Sequence, residues 1–142
     1  MIAFLRARLD EDEAAARALQ EYRPGPWIVD TDSVGLESIS SGPRRAAKGW
    51  DFNVIGEVWS HRIAEHVARW DPARVLAEVT AKRAIIDLHP SHRQGHGQWC
   101  STCGDWPQPG SEQIEIEWPC PTLRALAQPY AEHADFDPAW RP

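Results

Sequence analysis

Three cysteines and a group of nearby histidines carry the chemistry this chain can do. Cys100 and Cys103 form a C-x2-C knuckle, and Cys120 follows after sixteen intervening residues. Three thiolates need one more donor to close a tetrahedral shell, and a histidine completes the set that zinc favours. His89, His92 and His96 lie just upstream and His133 just downstream. We rank His89 first, because a residue at the end of a helix costs least to hold in place. His96 and His92, in a Gly-rich stretch, and His133 remain alternatives. Zinc is expected over an iron cluster because both ligand types suit it. Three ordinary buried thiols are the competing reading.

A shell of three thiolates and one imidazole leaves no open position and blunts Lewis acidity, so the expected metal is structural and no catalytic residue is assigned. Zinc deaminases with an open position set a Glu close to the first ligand, and no H-x-E or C-x-E precedes Cys100. A G-x-S-x-G elbow, a phosphate-binding Walker loop and a dinucleotide glycine fingerprint are also missing from the sequence. A second candidate is the His61, Glu65 and His66 face beside Trp59. His61 and Glu65 stand i, i+4 on a helix, where a histidine–carboxylate pair can move protons or form an ordinary surface contact. Trp50, Trp59, Trp99, Trp106 and Trp118 suggest an aromatic groove for a partner, against the alternative that they pack a loop-rich core.

The elements that must position these residues are legible from punctuation and period. Ile2, Leu5, Leu9, Ala16 and Leu19 share a stripe, predicting a helix over Ile2 to Tyr22 that stops before Pro24-Gly25-Pro26. Trp27 to Val29, Leu36 to Ser40 and Phe52 to Trp59 read as strands of a small antiparallel sheet, with a turn at Asp32 to Gly35 and a loop from Ser40 to Arg45. Ser60-His61 opens a second helix that sets Ile63, His66, Val67 and Trp70 on one face. Asp71-Pro72 is an N-cap followed by a first-turn proline and starts a third helix running to about Leu88. Cys120-Pro121 repeats that pattern and opens a fourth, Thr122 to Ala127. The expected fold is a single α+β domain over 1–142, with a zinc loop at about 89–120.

Composition narrows the role. The chain has 142 residues, 42% apolar, with 12 prolines, 9 glycines and 8 tryptophans. Its formal charge of −6 argues against generic nucleic-acid binding, which draws on neutralised phosphates. The charge is uneven: from Asp105 onward seven acidic residues face two basic ones, whereas Gly42 to Arg93 holds nine basic against six acidic. No stretch approaches the roughly 20 apolar residues of a membrane span. Arg6 and Arg8 follow the first apolar residues rather than preceding them, unlike an export signal, so a cytoplasmic location with reduced thiols is expected.

Asp71-Pro-Ala-Arg-Val-Leu-Ala-Glu-Val, Ala81-Lys-Arg running to His89, the C-x2-C, Pro119-Cys120-Pro-Thr-Leu-Arg124, Pro129-Tyr130-Ala131-x-His133 and Trp140-Arg141-Pro142 form a distinctive set. Together they resemble an uncharacterised family of small proteins of unknown function from actinobacteria and their phages. The resemblance implies a shared metal-loop architecture and supplies no mechanism. The role expected is a zinc-stabilised accessory or regulatory protein that binds another macromolecule, with protein the expected partner. The alternative is a small hydrolase or nucleotide-handling enzyme using the histidine and carboxylate face.

Overall fold

In a computed structural model the fold is mixed α+β, described for residues 1–31, 37–41, 54–104 and 115–141. The turn at Asp32 to Gly35, the Gly42 to Arg45 part of the predicted loop, Leu36, Trp50, Phe52 and Trp106 lie outside the described residues. The elements run α1 (Ile2–Tyr22), β1 (Trp27–Thr31), β2 (Glu37–Ser41), β3 (Val54–Val58), α2 (His61–Arg69), α3 (Pro72–Leu88), β4 (Ser91–Gln94), β5 (Gly97–Cys100) and α4 (Pro121–Ala127). Two short 3-10 turns, Gln128–Tyr130 and Pro138–Trp140, follow. Contacts group into two units, one of Met1–Asp10 with Thr80–Pro142 and one of Glu11–Val79.

In the Glu11–Val79 unit the three strands form an antiparallel sheet ordered β1-β2-β3. Ile28 pairs with Ser40 and Val29 with Ile39, and the β2–β3 register slips between Ile39 and Ser40. The helix α2 packs on this sheet. Its inner side is built around Ala64, which is fully buried, whereas Ile63 and Trp70 remain 53% and 42% exposed. Of the face predicted from Ile63, His66, Val67 and Trp70, Val67 is half-buried and the other three are exposed. An alanine lets the helix backbone approach a sheet closely, and with Ala64 innermost the rotation of the helix leaves Ile63 and Trp70 outside. At the head of α3, Asp71 caps as expected: its Oδ1 accepts the Arg74 amide at 2.8 Å.

In the other unit, Leu5, Leu9, Ile86, Leu123, Ala127 and Phe136 are buried. Phe4 gathers a ring cluster, with centroids 5.8 Å from His133, 6.1 Å from Phe136 and 5.1 Å from Trp140. The β4–β5 hairpin occupies a stretch that reads in sequence as a Gly-rich loop. Ser-His-Arg-Gln lacks the β-branched residues that announce a strand. Gly95, with φ of 61°, supplies the first central position of a two-residue hairpin turn. Trp99 lies across Gly97, where a Cβ would fall 2.6 Å from the indole. The bridge between Trp99 and Glu117, with Trp118 N–H donating to the Gln98 carbonyl at 2.9 Å, adds a further segment beside β5.

Candidate metal centre

His89 is the first residue beyond α3, and its amide still donates to the Ile86 carbonyl at 3.1 Å. The last carbonyls of a helix lack partners within it. Here Thr102 Oγ1 donates to the Leu88 carbonyl, and Trp118 Nε1 donates to that of His89 at 3.4 Å. The helix end is thus tied both to the knuckle and to the segment before Cys120. Pro90 accepts from the Ser101 amide, and Cys100 N–H donates to the Ile116 carbonyl, each at 2.9 Å. Cys120 sits at the N-cap of α4, and its carbonyl accepts the Arg124 amide at 3.0 Å. Main-chain contacts, with the Thr102 and Trp118 side chains, therefore fix these segments before the four donor side chains are considered.

These ties bring the donor atoms of His89, Cys100, Cys103 and Cys120 within 4.8 Å of one another. Nδ1 of His89 lies 3.5 Å from the Cys100 sulfur, 3.3 Å from that of Cys103 and 3.6 Å from that of Cys120. A tetrahedral ion with metal–sulfur bonds of about 2.3 Å and metal–nitrogen bonds of about 2.0–2.1 Å sets such atoms about 3.5–3.6 Å apart. The three nitrogen–sulfur distances match those around a single tetrahedral ion. Cys100 and Cys120 are buried, Cys103 and His89 are half-buried, and none of the cysteines is in a disulfide. The four residues form a potential metal-binding site.

The electrostatics favour a cation. Burial pushes the Cys100 thiol up, but hydrogen bonds from the Thr102 main chain, the His89 ring, the Cys103 main chain and Cys120 outweigh it and bring it to about 7. Burial, followed by the neighbouring Cys120 and Cys100, drives Cys103 up to about 11. One thiolate forms easily and the next is opposed by the first, a conflict that a bound cation removes by reversing the local charge.

The other histidines have different partners. His92 Nδ1 is 3.1 Å from Ser101 Oγ, His96 lies in the hairpin turn, and His133 contacts Arg8 and accepts the Asp135 amide at 3.1 Å. His61 does meet Glu65, with Nε2 3.4 Å from Oε1, yet its Nδ1 lies closer to Glu37, at 3.2 Å. Glu37 is buried on β2, twenty-four residues away, and no local spacing announced it. Thr102 and Trp118 were missed for the same reason, since each acts on a carbonyl far back in the sequence. Of the tryptophans, Trp99 and Trp118 belong to the hairpin region, while Trp59 is 80% exposed.

Among the described residues no helix is long and apolar enough to cross a membrane. No curated protein and no solved structure matches the chain. The sequence profile of DUF6221, a family of unknown function, matches residues 1–142. A match along the full length, with the histidine and three cysteines inside it, places this chain in the DUF6221 family.

Proposed function

We propose that this chain is a zinc-stapled accessory or regulatory protein that recognises another macromolecule, with His89, Cys100, Cys103 and Cys120 as the zinc ligands. One observation carries the reading: a single ring nitrogen equidistant, within 0.3 Å, from three sulfurs (3.6 against 3.3 Å). Four protein donors of this kind fill the shell, which makes the ion a scaffold. Its ligation would use Nδ1 and leave the Nε2 proton to be donated outward to a hydrogen-bond acceptor. Reduced thiolates suit a cytoplasmic setting, and an actinobacterial or phage origin, implied by the motifs, belongs to the same reading.

The test is metal content per chain in protein purified without added zinc, alongside C103A and H89A. About one zinc in the parent, lost with thermal stability in both variants, is the expected result. A metal-free parent of unchanged stability sinks the reading. The Glu37–His61 contact supports a second reading, an enzyme using an imidazole oriented by a buried carboxylate. Hydrolytic activity abolished by H61N at unchanged zinc content would establish it.

A further inference from the structure

The exposed arc of α2 is graded. At 100° per residue, with buried Ala64 as origin, His61 and Glu65 form one edge and Arg62, His66 and Arg69 a central ridge. Ile63 and Trp70 form the other edge. All these side chains but Ala64 are exposed. Trp59, just before the helix, is 80% exposed, and Trp70 closes the helix at 42%. Arg74 lies over the Trp70 ring, 4.4 Å from its centroid, and Trp70 lines a recess shared with Leu19, Pro72 and Val75.

We propose that this cationic, tryptophan-ended face of α2 binds a segment of single-stranded nucleic acid, its bases stacking on Trp59 and on the Arg74 guanidinium plane that covers Trp70, and its phosphates meeting Arg62 and Arg69. The proposal deepens the macromolecule-binding half of the reading above and does not involve the metal. A docking peptide helix needs a continuous apolar groove. Here the two tryptophans stand at the two ends of a charged ridge with Ile63 alone beside it, the alternation of stacking surface and positive charge that a single strand requires. Arg62 and Arg69 have no carboxylate partner among the described residues, whereas Arg74 Nε pairs with Glu78 at 3.2 Å, and the Glu65 carboxylate faces His61. The net charge of −6 acts over distances screened beyond about 8 Å at physiological salt, so at contact the local face governs.

The test titrates the full chain into a fluorescein-labelled oligodeoxythymidine of about ten nucleotides, following anisotropy and tryptophan quenching across a salt series. Binding with a log–log salt slope of about −1.4 is expected, from about 0.7 per phosphate at two arginines. W59A should weaken it about tenfold and the R62E/R69E pair remove it, with melting temperature and zinc content unchanged. No binding at low salt, binding undiminished in R62E/R69E, or equal displacement by polyglutamate overturns the proposal. Zinc measured on the same samples keeps the two ideas apart: zinc present without oligonucleotide binding leaves the staple standing and removes only this inference.

Discussion

His89 and His61 are each surrounded by groups that attract a proton or a cation, and the difference between them is mechanical. The His89 ring is presented by a helix end whose final carbonyls are held by Thr102 and Trp118, and its three sulfur neighbours lie on segments fixed by main-chain hydrogen bonds. His61 meets Glu37 and Glu65 with its side chain 58% exposed, and Glu65 is equally exposed. Donor type alone does not make a metal centre. The first cluster is rigid because the backbone supplies its shape, whereas at the second only Glu37 is anchored, by burial on β2.

The strongest way to break this contrast is to remove the metal that the proposed staple holds. A chelator, or acidification that protonates the thiolates, should lower the melting temperature by about 10 °C or more, because binding free energy at such a site is folding free energy. A thermal melt with and without chelator checks it. An unchanged melting temperature would put the two histidines on an equal footing.

Gly97→Ala comes next. The added carbon would meet the Trp99 indole at 2.6 Å, and shifting that ring disturbs the strand that ends in Cys100. A loss of about 1–3 kcal/mol is expected in denaturant unfolding, accompanied by weaker metal retention. Asp71→Ala sharpens the comparison from the other unit. Losing the cap to the Arg74 amide should cost about 1 kcal/mol, with metal content untouched.

The smallest effect belongs to His61. The hydrogen bond to Glu37 raises its pKa above 6.5, against a little burial and with help from the charges of Glu37 and Glu65. Its stabilising contribution is therefore complete below 6.5 and fades as pH rises through the higher folded value. A proton NMR titration should place the His61 midpoint above 6.5, and E37Q should bring it back down.

How much of this was legible in the sequence follows from where each determinant acts. The Asp71 cap and the prolines at 72 and 121 are local devices, and both helix starts lie where those residues put them, Cys120 holding its N-cap position without a side-chain hydrogen bond. The cysteine spacing likewise carries its own chemistry. The hairpin was hidden because its residues are polar and its pairing rests on Gly95 and on a Trp99 ring covering Gly97. The inward side of α2 was hidden because the helix turns the small residue, Ala64, innermost and so leaves Ile63 and Trp70 outside. Glu37 was invisible because it reaches His61 only once β2 is in register.

The four donors come from one stretch, residues 89–120, with loops of ten, two and sixteen residues between successive ligands. Closing such short loops costs little entropy, since the cost grows only as about (3/2)RT ln n. The rings of Phe4 and Trp140, by contrast, meet only after nearly the whole chain has been brought together. In kinetic terms the cluster is a site of low contact order. With an ion bound as proposed, it could close before the Phe4 rings gather, and the supply of that ion would then bear on the folding rate as well as the final stability.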